Sequence, residues 1–285
     1  MTITAQQVKE LRELTGAGIL DAKKALVETD GDMDKAMELL RQKGMASADK
    51  KQGRIAAEGI VVSYIEGNAG VLVEVNCETD FVAKNEDFKA LVQTIAQAVV
   101  ENNPADLEVL NDVKVDGTTI ETLVKEATAT IGEKITIRRF ERLEGSLATY
   151  IHNNKIGVLL QTEGTDEALA KDICLHIASS GCEYVSREEI PQATIDEETR
   201  IEMGKEDLAN KPENIRAKIV EGRVNKLMSQ RCLLEQPFVK NPDQTIAQLI
   251  EGKLTITCFK KYTLGEGLEK RSENFAEEVM NQIKN

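Results

Sequence analysis

Apolar residues recur at helical spacing over the first 45 positions. Thr4 with Gln7 makes a capping-box pattern, and Val8, Leu11 and Leu14 follow before the turn Thr15-Gly16-Ala17-Gly18. Ile19, Ala22, Ala25 and Leu26 predict a second helix that ends near Asp30-Gly31. Asp32 can cap a third, running through Ala36 and Leu40 to Gly44. The small, polar and basic stretch ASADKKQGR at 46–54 reads as a linker. The expectation is a three-helix N-terminal domain which, with its linker, covers residues 1–54.

From about Gly59 the period changes to two. Val61, Ser63 and Ile65, then Val71, Val73 and Val75, alternate around Glu66-Gly67-Asn68, which predicts a hairpin. A loop from Thr79 to Asn85 follows, and Phe88, Leu91, Val92, Ile95, Ala96 and Val99 then mark an amphipathic helix. The same order returns with the strand Ala148–Ile151, the turn His152-Asn153-Asn154, the strand Gly157–Leu160, the loop Thr162–Asp166 and a helix along Leu169, Ile173 and Ile177. Tyr64 and Tyr150 sit at matching points, as do Gly70-Val71-Leu72 and Gly157-Val158-Leu159. These positions predict an α+β protein whose core consists of two related halves with antiparallel sheets, one over 55–144 and one over 145–264.

The second half is interrupted. Between Arg187 and Arg231 the pattern is helical and breaks once, at Lys211-Pro212, while Ala217, Val220, Val224 and Leu227 follow three-four-three spacing and Ile201 and Leu208 are seven apart. This predicts a protruding antiparallel helical hairpin with its tip at Pro212. Thr255–Phe259 reads as one more strand, and a charged helix bearing Phe275, Val279 and Ile283 is expected in a short C-terminal module over 265–285.

Composition narrows the function. Net charge is −13, and residues 1–54 hold ten Lys/Arg against nine Asp/Glu, which leaves 26 against 40 for the rest of the chain. So acidic a body repels a phosphate backbone, and with no basic run in the sequence a nucleic-acid partner is disfavoured and a protein partner favoured. No signal-peptide-like or membrane-spanning apolar stretch occurs, and the 5 cysteines form no C-x-x-C pair, so a cytoplasmic protein with reduced cysteines in its core is expected.

Candidate chemistry is sparse. No phosphate-binding G-x-x-x-x-G-K-[ST] loop is present, and Gly265-Glu266-Gly267 lacks a third glycine and carries an acid, so it reads as a turn. Cys174, His176 and Cys182 are close together, but their spacing does not suit zinc, and His176 falls on the apolar face of its helix as a core histidine would. With 49 acidic residues, carboxylate pairs are inevitable and do not indicate acid–base catalysis. No cofactor, metal or bond-making site is expected. What stands out is the loop Thr79, Asp80, Phe81, Val82, Ala83, Lys84, Asn85, where an aromatic hemmed by charge interrupts both periods and has the composition of a binding anchor.

Several segments resemble the elongation factor Ts family, the bacterial exchange factors for the translation GTPase elongation factor Tu. VKELRELTGAGILDAKKAL at Val8–Leu26 and EVNCETDFVAKN at Glu74–Asn85 are similar to its two signatures; IGEKITIRR at Ile131–Arg139, YIH at Tyr150–His152, KIVEGRVNK at Lys218–Lys226, QPFV at Gln236–Val239 and GEGLEK at Gly265–Lys270 follow in order. The resemblance implies a ubiquitin-associated-like N-terminal domain, the two related core halves, the helical hairpin and the short C-terminal module. It implies that Asp80 and Phe81 enter the GTPase domain beside its magnesium site, that Arg12, Ile19, Leu20 and Lys23 meet a helix of that domain, and that Ile131, Gly132 and His152 support docking. The implied function is guanine nucleotide exchange on elongation factor Tu, in its GDP-bound and nucleotide-free forms, without direct nucleotide binding; a dimer or a heterotetramer is compatible with it. One departure is HIASSGCEYV, which has Cys182 where many relatives have proline. A rival reading makes the chain a passive interaction module, its N-terminal helices binding a ubiquitin-like surface; that accounts for the helices and leaves the Phe81 loop unexplained.

Overall fold

The computed structural model describes residues 3–164 and 166–269 and shows an α+β fold. Three helices, α1 (Ala5–Thr15), α2 (Ile19–Glu28) and α3 (Met33–Lys51), open the chain. Thr4 caps α1 through the expected reciprocal box with Gln7, and Asp32 caps α3 by accepting from the Lys35 N–H. Val8, Leu11, Ala22, Ala25, Leu26 and Ala36 close a small core. Leu14 and Ile19 lie outside that core, 63% and 57% exposed. One expectation needs correcting. The 46–54 segment is helical as far as Lys51, because α3 continues past Gly44 to lie along a later helix, and Ala48 is buried there.

The chain continues through β1 (Glu58–Glu66), β2 (Ala69–Cys77), the single turn α4 (Asp80–Ala83) and α5 (Glu86–Asn102). Helix α6 (Leu107–Asp112), a short pairing of β3 (Lys114–Val115) with β4 (Thr118–Thr119), α7 (Ile120–Ile131) and β5 (Thr136–Glu144) complete this part. Then come β6 (Ser146–His152), β7 (Ile156–Gly164), α8 (Glu167–Ser179), α9 (Gln192–Met203) and α10 (Glu213–Arg231). The short pair β8 (Pro237–Phe238) and β9 (Asn241–Thr245), α11 (Ile246–Ile250) and β10 (Leu254–Thr263) end the described elements. Residues 270–285, where the C-terminal helix with Phe275, Val279 and Ile283 is expected, lie outside the described residues.

The repeat read from the pattern has a topological counterpart. One sheet has the order β1-β2-β5 and the other β10-β7-β6, so in each the second strand of a hairpin is central and a later strand adds to its free edge. β6 and β7 pair antiparallel, with Tyr150 opposite Val158 and His152 opposite Ile156, across a turn in which Asn153 and Asn154 take positive φ. Asn tolerates that conformation better than most residues. The chain divides into two compact units. One holds the described residues within Met1–Tyr64 and Val73–Glu141 and those from Thr263 on; the other holds Ile65–Leu72 and Arg142–Tyr262.

The helical hairpin forms within the second unit from α9 and α10, joined by a segment that ends at Pro212, which caps α10. Its buried stripe is Val220, Val224 and Met228, closed by Leu208 and Ile190 with Leu227 packed against it; Val220, Val224, Leu227 and Leu208 thus lie on the expected seam, whereas Ala217 is exposed and Ile201 is 46% exposed. His176 is a satisfied core residue. Its Nδ1 accepts from the Val239 N–H at 3.2 Å, so its Nε2–H donates to Gln236 Oε1 at 2.8 Å, and burial holds its pKa below the usual 6.5. Burial also pushes the Cys174 thiol up to about 12.

Candidate functional site

β2 is buried along its whole length, so the polar members of its alternation are inside as well. Glu74 is fully buried and accepts from Arg138 Nη1 at 2.9 Å, Arg139 Nε at 2.7 Å, the Gly265 N–H at 2.9 Å and Asn76 Nδ2 at 3.3 Å. Burial alone would raise its pKa; the Gly265 N–H and the two guanidiniums outweigh it, and the carboxyl stays below its usual 4.5. The Gly265 turn is thus a structural ligand of a buried carboxylate, and this node fixes β2 against β5 as the chain leaves for Thr79.

The segment expected as a loop is a helical turn. Thr79 caps α4 by accepting from the Val82 N–H, and Asn85 caps α5 by accepting from the N–H groups of Asp87 at 2.7 Å and Phe88 at 3.2 Å. Helical geometry splits the two apolar residues of the turn. Val82 points inward, 9% exposed, and Phe81 outward, 80% exposed. Lys84 pairs with Asp80 at 2.6 Å and holds its ammonium 5.9 Å from the centre of the Phe81 ring. A large aromatic held open on a capped turn, with one face screened by a cation, is a surface whose apolar area is buried only when something else covers it.

The approach to Thr79 is held from a distant part of the chain. α7 ends at Gly132 in the left-handed conformation, and the next residue, Glu133, grips Thr79: its Oε1 accepts from the hydroxyl at 2.7 Å and its Oε2 from the N–H at 3.0 Å. In the opposite direction Glu78 Oε1 accepts from the Lys134 N–H at 2.7 Å and from Arg54 Nη1 at 3.1 Å. Cys77 donates its thiol proton to Thr79 O at 3.1 Å, and burial with the Glu133 carboxylate nearby pushes that thiol up to about 12, so it remains a donor.

The N-terminal helices reach the same helix. A Cβ on Gly16 would lie 2.9 Å from Thr130 Cγ2, and one on Gly44 would lie 2.9 Å from Ala129 Cβ, so both glycines permit close approach to α7. Arg41 pairs with Glu126 at 2.8 Å, and Lys51 Nζ donates to Thr128 O at 3.2 Å. Arg12, Ile19, Leu20 and Lys23 are all exposed, Leu20 at 71%. Among the predicted residues, therefore, Thr79–Asn85 and Ile131–Gly132 are brought together through Glu133, and the helices carrying Arg12, Ile19, Leu20 and Lys23 are tied to α7, all within the first unit. His152 belongs to the second unit, exposed at the end of β6, with Nδ1 3.1 Å from Tyr150 Oη. Sequence reasoning missed Glu133 and Glu78; the only pointer to Glu133 was its place within the segment IGEKITIRR.

Comparison with known proteins identifies the family. The family model described as elongation factor TS matches residues 78–266. A curated relative from Alkalilimnicola ehrlichii, named Elongation factor Ts, is 48% identical over 290 residues, covering all of this chain and 99% of its own. A protein of the same name from Thioalkalivibrio sulfidiphilus is 48% identical over 291 residues, covering 100% of this chain and 99% of its own. The chain belongs to the elongation factor Ts family, and is a factor of translation elongation and protein biosynthesis. Among the described residues no helix is long and apolar enough to cross a membrane.

Proposed function

We propose that this chain binds elongation factor Tu in the cytoplasm and accelerates release of GDP from it, acting as a guanine nucleotide exchange factor with no bond-making chemistry of its own. The observation that carries this reading is Phe81, an aromatic 80% exposed on a turn capped by Thr79 and followed by the Asn85 cap of α5. A GTPase holds GDP through backbone donors, a lysine and a magnesium ion that offsets phosphate charge. A partner without a nucleotide site can weaken that grip only through binding energy that favours the GTPase conformation with the metal and phosphate loop displaced. Phe81 is the wedge, with Asp80 beside the metal region and Lys84 and Asn85 keeping the turn in shape. Arg12, Ile19, Leu20 and Lys23 dock the N-terminal helices, and Ile131, Gly132 and His152 support docking.

A central interface aromatic contributes about 2–4 kcal/mol. At roughly 1.4 kcal/mol per decade, the lower figure alone corresponds to more than tenfold in rate if it is used to displace the metal region. Linkage adds a second requirement: if the factor weakens GDP binding, GDP weakens factor binding by the same ratio. The test is a stopped-flow measurement of labelled GDP leaving elongation factor Tu with and without this protein, paired with calorimetric titration of the GTPase with and without GDP. Faster release and a lower affinity in the presence of GDP are expected. Unchanged release with equal affinities would leave only the passive interaction module.

A further inference from the structure

The turn that presents Phe81 is too short to be stable by itself. One helical turn fixes several backbone dihedrals for very few hydrogen bonds and does not persist alone in water. The capping bond from the Val82 N–H to Thr79 Oγ1 is long, at 3.4 Å, and Ala83 N–H to Thr79 O is 3.3 Å. Below the turn only Val82 is buried. At its far end the turn is closed by the Asn85 N–H to Val82 O at 2.9 Å and by Lys84 Nζ to Asp80 at 2.6 Å, whereas its start is held by the two short bonds from Thr79 to Glu133, 2.7 and 3.0 Å. By accepting the hydrogen bond from the hydroxyl, the carboxylate also fixes the rotor of that hydroxyl, so the lone pairs of Thr79 Oγ1 are available to the Val82 N–H.

We propose that Glu133 is the positioning residue of the Phe81 turn: it holds Thr79 by its N–H and hydroxyl together, so that the turn is already in its binding geometry before the partner arrives. This rests on the reading of Phe81 as the wedge. Glu133 acts through Thr79 and has no chemistry of its own to contribute. It is only partly exposed and is held in register by the neighbouring Lys134, whose N–H bonds to Glu78 and whose ammonium donates to Gln52 O at 2.6 Å and Arg54 O at 3.1 Å. The grip therefore comes from the end of α7, the same helix that carries the N-terminal domain through Gly16, Gly44 and Arg41.

Loss of preorganisation has a signature different from loss of contact. When only a fraction of a protein is competent, apparent affinity falls by that fraction while the bound state is unchanged. In Glu133→Ala the Phe81 ring is still present, so GDP release at saturating factor should stay within about twofold of wild type. The concentration giving half-maximal release should rise about tenfold, corresponding to a turn ordered roughly a tenth of the time. Glu133→Gln should restore most of this, since its amide oxygen accepts from the Thr79 N–H and its NH2 donates to Thr79 Oγ1.

The experiment measures, on the full chain, amide hydrogen exchange over Thr79–Asn85 in the free protein and GDP release from elongation factor Tu against factor concentration. The variants are Glu133→Ala, Glu133→Gln, Phe81→Ala and the double variant Phe81→Ala with Glu133→Ala. Expected are lost protection of Thr79–Asn85 in Glu133→Ala with α5 still protected, rescue by Glu133→Gln, and a double variant no worse in release than Phe81→Ala. Retained protection with unchanged half-saturation overturns the proposal, as does a lowered plateau at unchanged half-saturation. If Phe81→Ala releases GDP normally, the wedge reading is what fails, and hydrogen exchange still decides whether Glu133 orders the turn. Glu133→Asp, one methylene shorter at the same backbone position, loosens the two-point hold on Thr79 while leaving the Thr79 cap in place, and should show the same pattern at about a threefold shift, so the test survives a Glu133→Ala that does not fold.

Discussion

Glu74→Gln replaces a buried carboxylate by its isostere, creating no cavity, and so isolates the electrostatics of the node between β2, β5 and the Gly265 turn. The amide oxygen can keep the contacts of Glu74 Oε1 with Arg138, Gly265 and Asn76, but its NH2 then faces Arg139 Nε, formerly a 2.7 Å acceptor contact. Arg138 and Arg139 both lose the Glu74 charge, and Arg139 keeps its longer pair with Glu266 at 3.4 Å. Removing one partner from a buried pair costs about 3–5 kcal/mol, and since the arginine side chains are 21% and 29% exposed and can partly rehydrate, about 3 kcal/mol is expected. At roughly 2–4 °C per kcal/mol for a chain of this order of size, the melting midpoint should fall by about 6–12 °C. The acid limb changes too. Because the folded-state pKa of Glu74 lies below its unfolded value, its stabilisation is fully present above that unfolded value, near 4.5, and is lost as pH falls through the folded one. Wild type should therefore lose stability faster than Glu74→Gln below pH 4.5. Urea unfolding of both proteins from pH 7 to pH 3 measures this, and a neutral-pH difference under about 1 kcal/mol, or parallel acid limbs, refutes the reasoning.

Phe81→Ala should leave the urea midpoint nearly unchanged, since surface truncations fall within about 0.5 kcal/mol, yet slow GDP release at least about tenfold; a collapsed midpoint would make the ring structural. Gly44→Ala should be stabilising, by up to about 1 kcal/mol of helix propensity, in an Ala129→Gly background and not in wild type, where the new methyl meets Ala129 Cβ at 2.9 Å. Equal effects in both backgrounds, read from a double-mutant cycle in urea, would mean that α3 does not press on α7 there. His176, neutral and bonded at both nitrogens, should make stability decline as pH falls below about 6.5, by at most about 1.4 kcal/mol per pH unit, because the unfolded chain takes up the proton first. Replacing it with Phe should flatten that slope between pH 7.5 and 5.5.

Much of the fold was legible because burial here follows simple periods. The capping box at Thr4, the hairpin at Gly67-Asn68 and the stripe Phe88, Val92, Ile95, Val99 are local patterns, and each appears as the element it predicts. The helix through 46–51 was missed because its polar composition, ASADKK, resembles a linker. Ala and Lys are nevertheless good helix formers, and packing against α7, a helix some eighty positions later, decides the matter. Leu14 and Ile19 continue an apolar rhythm past the point where the core ends, beside the Gly16 turn, and stand exposed with Leu20.

The candidate site divides in the same way. Phe81 could be found because an aromatic between Asp80 and Lys84 violates both the two-residue and the helical period, and a violation is visible in one dimension. Glu133 could not, since one carboxylate among 49 carries no mark, and its partner Thr79 lies 54 positions away. Nor could Glu74, which sits in an alternating strand where the polar residue is ordinarily the solvated one, and is instead inside because β2 is the central strand and is covered along its length. The turn residues read as meeting a partner are contiguous, and Phe81 among them breaks a local rule, whereas Arg12, Ile19, Leu20, Lys23, Ile131, Gly132 and His152 were reached only through the family resemblance. Those that hold the turn in place obey every local rule, and their importance arises only when topology sets β2 beside β5 and the end of α7 against Thr79. A sequence read by its periods will therefore name the side chain that acts before the one that positions it.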